Sequence, residues 1–324
     1  ESAMRKRGSM PMLSPTSRGP LSQAVLDALR SGGTSLLDDA PEPDNTEDAQ
    51  LALWTMYEQH HGGFDDISDD LEWDPHVLGV RRRLEQDFEQ TLRQRAPQAP
   101  EPGDFAETFF DFVAGHEGPS LSSHMHRSAT EAQVREFLRH KSIYHLKESD
   151  HTTWVVPRLS GPVKAAVMEL QYDEYGAGNP NRLHATMFAD GLHASDLESA
   201  YGAYINEAPV EILEQNNVMS MFGLNRRLRA ASLGFLAAFE TTSSVPSRRI
   251  AQGLDRLGFP PEMIEYYTEH VEADAVHEQL AVRTICGVLI EEEPALYDDV
   301  YFGAWTSMDL EDRYAHRMLE EWAA

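Results

Sequence analysis

His270-Val271-Glu272-Ala273-Asp274-Ala275-Val276-His277 spaces two imidazoles and one carboxylate at i, i+4 and i+7. On an α-helix each residue advances about 100°, so the three side chains project within roughly 60° of one another. Two imidazoles and a carboxylate on one face form a donor set suited to a borderline divalent metal such as iron. A helix whose polar residues align by chance would carry the same letters. The stretch therefore gains its meaning from residues elsewhere in the chain.

Those residues lie upstream. Glu240 closes the apolar run Leu233-Gly234-Phe235-Leu236-Ala237-Ala238-Phe239, Glu174 and His184 frame Gly176-Ala177-Gly178, and Glu148 precedes them all. This order resembles the haem-oxygenase-like di-iron oxidases and oxygenases, the iron-containing redox enzymes. Their ligands come as a Glu, a Glu and a His around a Gly-rich segment, a lone Glu, and then a His-x3-Asp-x2-His helix. The resemblance covers approximately residues 101–324 and implies an all-α, haem-oxygenase-like helical bundle. Carried over position by position, it implies Glu148, Glu174, His184, Glu240, His270, Asp274 and His277 as ligands of two Fe ions cycling between Fe2+ and Fe3+. It further implies O2 as co-substrate, a small-molecule substrate and an external electron donor whose identity stays open. The fuller ligand set is similar to that of members that N-oxygenate amines or amino-acid-like compounds in specialised metabolism. Oxidative C–C cleavage or decarboxylation of a fatty acid or amino acid is the alternative.

The charges are consistent with that set. Three neutral imidazoles and four carboxylates sum to −4, which two ferrous ions balance. Carboxylates can bridge two metals and support the ferric state, while imidazole serves both oxidation states. Without metal the carboxylates would repel one another, and protons would have to intervene. Glu148 and Glu174 are expected together on one side of the centre. Glu169 is the rival to Glu174, but five residues along a helix turn it about 140° away. Lys164 and Arg182 are the candidates for holding a substrate carboxylate, and Asp173 and His193 for supporting the ligands from outside.

The chain has 324 residues, with 27 basic against 54 acidic, a net charge of −27 and a pI near 4.8. That balance argues against binding nucleic acid or an anionic membrane surface. The single cysteine, Cys286, sits in an apolar segment and cannot form an intrachain disulfide, which fits a reducing, cytoplasmic location. A buried core thiol is expected there. No apolar run approaches the ~18 residues of a membrane span. Glu1-Ser2-Ala3 ahead of Met4 reads as a cloning remnant, and the basic leader that follows lacks the apolar core of a secretory signal.

Helical signals dominate. An N-terminal helical extension over residues 1–100 is expected, with its first ~20 residues mobile and helices near Leu21–Arg30, Gln50–His60 and Pro75–Arg95. The Pro-rich stretch 96–104 is the expected boundary to the di-iron domain at 101–324. There, helices are expected from Thr130 toward Glu148, from Gly161 to Glu174, after Asn179 with His184, and over Val218–Thr241 and Ser244–Leu257. The metal-bearing helix begins at Pro260-Pro261 and runs toward Ile290, and a last one spans Pro294–Trp322. Leu51, Leu53, Trp54 and Tyr57 fall at helical spacing and need cover, expected from the catalytic domain or from a second subunit, a homodimer being the commonest way to provide it. Two other readings compete. A ferritin-like bundle would use the Glu-x2-His pairs Glu58/His61 and Glu148/His151, but it leaves the His270 helix without a purpose. A non-enzymatic helical binding or iron-binding protein would leave the regular ligand spacing unexplained.

Overall fold

The computed structural model describes residues 12–324, except for the side chains of Asp274 and Ala275. The Glu1-Ser2-Ala3 remnant and the leader up to residue 11 lie outside the described residues. Residues 12–19, expected as part of a mobile leader, are tied to the rest of the chain. The Ser14 hydroxyl donates to Asp66 at 2.6 Å, the Thr16 amide to Asn206 at 2.9 Å, and the Arg18 guanidinium to the carbonyls of Ile205 and Ala208.

Among the described residues the extension contains three α-helices, each with a side chain or proline suited to its start. Helix α1 (Pro20–Ser31) has proline at its first turn, and the Asp48 carboxylate accepts from the Leu21 and Ser22 amides at 3.0 and 2.7 Å. Helices α2 (Thr46–Glu58) and α3 (Pro75–Arg95) are capped by Asn45 and Asp74. The stretch 96–104 is free of helix, as its proline content dictates. Beyond it come α4 (Phe105–Ala114), α5 (Leu121–Arg127), α6 (Glu131–His145) and the single turn α7 (Asp150–Thr153). Next are α8 (Gly161–Glu174), α9 (His184–Ala194), α10 (Val210–Leu224) and α11 (Arg229–Arg256). Helix α12 (Pro261–Gln279) passes through a π-helical stretch, Leu280–Gly287, into α13 (Val288–Glu292), and α14 (Tyr297–Ala323) ends the chain. No strand occurs among the described residues, so the all-α expectation holds.

Helix α11 is the centre of the body and packs on α14, α12 and α5. It meets α14 through two glycines. A Cβ on Gly234 would collide with the Val300 carbonyl, and one on Gly303 with the Ala231 carbonyl. The close approach locks α11, and so fixes the depth at which Glu240 enters the core.

One apolar cluster runs through both the extension and the body, joining Leu51, Trp54, Tyr57 and Phe88 to Phe137, Phe188, Phe222 and Tyr314. Leu51, Leu53, Trp54 and Tyr57 are all at most 1% exposed within the single chain, with α2 lying on α10. Burial of side chains this size is worth ~2–3 kcal/mol each. Of the two expected sources of cover, the rest of the chain supplies it. The Asn217 side chain also donates to the Gln50 carbonyl at 2.8 Å, satisfying a buried polar group at that seam.

Helix boundaries were misplaced in one region. A break was expected around residues 242–243, yet α11 runs through Pro246, and the break falls at Asn225–Leu228. There the Asn225 side chain bonds the Met221 carbonyl at 2.9 Å and stops α10, a local competition with the helix ladder. No helix of the described residues is long and apolar enough to cross a membrane.

Candidate metal centre

Three local devices deliver the polar side chains to the core. Past α6, the chain turns through Glu148 into Ser149, whose φ of 72° is left-handed and unusual for a residue with a side chain. The turn is held on both sides: the Ser149 carbonyl accepts from Gln171 Nε2 at 2.9 Å, and its hydroxyl donates to Glu174 Oε2 at 3.0 Å. Such strain persists where the surroundings over-determine it. Glu148 thus sits on a turn, not on the helix that the sequence extends toward it.

The second device is the Gly-rich reversal after α8. Gly176 has φ of 75°, and a Cβ there would lie 2.6 Å from the Arg182 carbonyl carbon and 2.7 Å from the Leu183 amide. Only glycine fits, and the chain can then fold back so that His184, at the first turn of α9, stands over Glu174, the last residue of α8. The third device is α12 itself, whose periodicity sends His270 and His277 to the same side.

The outcome is two adjoining triads of buried donors. Glu148, His184 and His270 offer donor atoms within 4.8 Å of one another, and so do Glu174, Glu240 and His277. His270 Nε2 lies 2.9 Å from Glu148 Oε1, and His277 Nδ1 lies 3.5 Å from Glu240 Oε2. Glu174 stands between the groups, with Oε2 2.7 Å from His184 Nδ1 and Oε1 3.6 Å from His277 Nδ1. It is placed as a bridging carboxylate would be. Glu148 and Glu174, expected on one side, fall in different triads, because the Ser149 turn and the α8 terminus approach the core from different directions. Asp274 lies on α12 between the two histidines, but its side chain is outside the described residues.

The donor set fits a pair of metal ions. All six described residues are at most 5% exposed. His184 Nδ1 and His277 Nδ1 face carboxylate oxygens, yet neither makes an aligned hydrogen bond within the described residues. A cation placed among them would take up those lone pairs. Without it, protons do the neutralising. Burial disfavours a charged His270, but Glu148 and Glu174 outweigh it and the imidazole is pushed up to about 10. His277 goes up to about 9 in the same way, burial being overcome by Glu240 and Asp173, and His184 is raised through Glu174. Burial alone would raise Glu148, yet His270 and His145 hold it well below the usual carboxylate range.

The donors are themselves oriented. Tyr266 OH donates to Glu148 Oε2 at 2.7 Å and is bonded by His145 Nδ1 at 2.8 Å, while His270 Nδ1 donates to the Tyr266 carbonyl at 2.7 Å. That last bond leaves Nε2 as the nitrogen facing the centre. His277 Nε2 bonds Asp173 at 3.1 Å, the supporting role expected for Asp173, and Nδ1 points inward. His145, Ser149 and Tyr266 were not singled out from the sequence. The only available signals were their nearness to Glu148 and the i−4 position of Tyr266 relative to His270.

Other expected residues lie elsewhere. Arg182 is engaged by Glu265 and Glu269 at 2.7 and 2.6 Å on the surface of α12, so its guanidinium is already paired. Lys164 sits ten residues before Glu174, about 15 Å along α8, beyond the reach of its side chain. Neither residue is placed to hold a substrate at this centre. His193 and Glu169 are exposed. The Cys286 thiol is fully buried, donates to the Leu233 carbonyl, and burial drives its ionisation far above the usual range, which makes it a core residue. Glu58 pairs with Lys147 at 3.3 Å, and His61 packs on His151 with ring centroids 4.8 Å apart, so the two Glu-x2-His pairs of a ferritin-like site do not form.

Comparison with known proteins agrees with this geometry. A family model described as iron-containing redox enzyme matches residues 135–312, which takes in every residue of the two triads. Nitrosourea synthase of Streptomyces achromogenes subsp. streptozoticus is 31% identical over 132 residues, which are 40% of this chain and 28% of that protein. A CADD-like protein of unknown function from Nostoc punctiforme superposes with a TM-score of 0.53 at 16% identity, over 73% of this chain and 98% of that one. At that identity the likeness speaks for the helical fold alone.

Proposed function

Because this chain belongs to the iron-containing redox enzymes, we propose that it is a di-iron oxidoreductase that uses O2 to oxygenate a nitrogen of an amine or amino-acid-like substrate. The single observation that carries the di-iron part is the pair of adjoining buried triads with Glu174 between them. Glu148, His184 and His270 would hold one iron and Glu174, Glu240 and His277 the other, with Asp274 as the seventh donor expected from the sequence. The nitrogen-directed part is supported by the partial likeness to a nitrosourea synthase, whose named product contains an oxidised nitrogen.

When bound, the iron pair supplies two electrons to dioxygen at one place. The protein's own groups prepare that place. The Tyr266 hydroxyl fixes the Glu148 carboxylate, which His270 and His145 favour in its ionised form, so it does not have to reorient as charge builds. Asp173 and the Tyr266 carbonyl fix the faces of His277 and His270. Tyr144, half-buried, keeps its hydroxyl protonated through desolvation and the field of Glu148, Glu174 and Glu240. Phe239, next to Glu240, lies with Tyr144, Met219 and Phe235 around a small cavity of about 30 Å³.

Mass spectrometry of a single turnover tests the reading. Ferrous protein mixed with dioxygen and candidate amines should yield a product heavier by oxygen at nitrogen. A product lighter than its substrate, with a one- or two-carbon fragment released, would replace this reading with oxidative C–C cleavage.

A further inference from the structure

A second cavity opens at the seam between the extension and the body, and nothing in the reaction above uses it. It has a volume of about 460 Å³, within the range of small-molecule sites, and opens toward solvent. The end of α2 forms one wall and α7 another, with Tyr175 and Tyr201 closing the sides.

Its charges are unequal. Glu58 and Asp150 face a single cation, Lys147. Glu58, 1% exposed, is already committed, taking Lys147 Nζ at 3.3 Å and Tyr201 OH at 2.7 Å on the same oxygen. Asp150 receives the Tyr175 hydroxyl at 2.9 Å. That neutral donor leaves one negative charge without a counterpart in the cavity. Trp154, Tyr175 and Tyr201 supply an aromatic part of the lining beside His60, Gly62, Leu146 and Thr153; His61 lies tilted with its ring centroid 4.4 Å from that of Trp154, and Lys147 Nζ lies 5.3 Å over the Tyr201 ring. His61 Nε2 has no hydrogen-bond partner among the described residues. Burial keeps that imidazole neutral, so it adds no positive charge. One carboxylate among electron-rich ring faces is an arrangement that attracts an organic cation.

We propose that this seam cavity binds a small monocation, a protonated or quaternary amine, with Asp150 as its counter-ion and the rings of Trp154 and Tyr175 beside it. A single positive charge makes the cavity neutral, whereas an anion would meet an excess of carboxylate. The inference goes beyond the N-oxygenation reading and does not depend on it, although an amine substrate would be a ligand of this class.

The test uses choline and its uncharged carbon isostere, 3,3-dimethylbutan-1-ol. The choline nitrogen has no lone pair, so it cannot bind through nitrogen at iron. Calorimetric titration of the full iron-loaded protein under argon should show choline binding at least tenfold tighter than the alcohol. Asp150→Asn should erase that preference while leaving the alcohol's affinity unchanged. Trp154→Leu, distant from any change in charge, should weaken both ligands. Equal affinities in the native protein, a preference that survives Asp150→Asn, or no choline uptake at concentrations of roughly 10 mM would each overturn the proposal. Should Asp150→Asn lose its helical circular dichroism, choline binding undiminished by Trp154→Leu overturns it instead. No dioxygen or turnover is involved, so failure here and failure of the N-oxygenation reading are separate results.

Discussion

Filling the centre with ferrous ion should expel protons, and the electrostatics of the triads say how many. In the metal-free protein His270 is pushed up to about 10 and His277 to about 9. At pH 7.5 both imidazoles are therefore predominantly protonated. His184 is raised as well, through Glu174. A metal uses the nitrogen lone pair, so each imidazole must lose its proton on ligation. Two to three protons per chain should therefore leave as both positions fill. The combined association constant should then rise by about 10²–10³ per pH unit between pH 6.5 and 8.5, and flatten as pH passes the imidazole values.

Stability of the metal-free protein should move the other way. Imidazoles with raised values contribute fully below their ordinary 6.5, and that contribution fades as pH climbs through about 9 and then about 10. Glu148, held low, contributes above its ordinary 4.5 and is lost on acidification below it. The assay is anaerobic titration calorimetry at pH 7.5 in buffers of different ionisation enthalpy. The slope of observed enthalpy against buffer enthalpy counts the protons. A slope of zero would refute the assignment of these imidazoles as proton-bearing in the free protein and iron-bearing in the loaded one.

Three substitutions extend the account. Tyr266→Phe removes the hydroxyl that anchors Glu148 at 2.7 Å and should weaken ferrous binding about tenfold with the helical circular dichroism unchanged. Gly176→Ala forces a side chain into the left-handed region against the backbone of Arg182 and Leu183 and should cost ~1–3 kcal/mol in urea denaturation, with iron uptake impaired because His184 shifts. His277→Ala should abolish oxygen-dependent turnover while thermal unfolding stays cooperative, whereas global unfolding of this variant would point to a purely structural role for the cluster.

The clustered donors were legible where the backbone repeats or reverses in a way that letters reveal. His270 and His277 share one helix face, and the glycines between Glu174 and His184 announce a reversal. Glu148 was legible by order alone, since its position depends on the left-handed Ser149, and nothing marks serine as left-handed in advance. The supporting contacts were mostly hidden. Tyr266 meets His145 across a separation of 121 residues, and only packing brings them together. Lys164 and Arg182 illustrate the opposite error. Proximity in sequence suggested reach, but helix rise carries Lys164 away, and Glu265 and Glu269 claim Arg182. The α11 boundary misled because Ser and Pro residues near 243–247 look like a stop, while Thr241 and Thr242 bond back to Ala237 and Ala238 within a continuing helix.

Iron stoichiometry under strict exclusion of oxygen tests the central claim most directly. Protein loaded with ferrous ion, freed of excess and assayed for metal should hold two irons per chain, and its Mössbauer spectrum should show high-spin ferrous ions in nitrogen and oxygen coordination. Saturation at one iron or fewer per chain would contradict a centre built from the Glu148–His184–His270 and Glu174–Glu240–His277 triads.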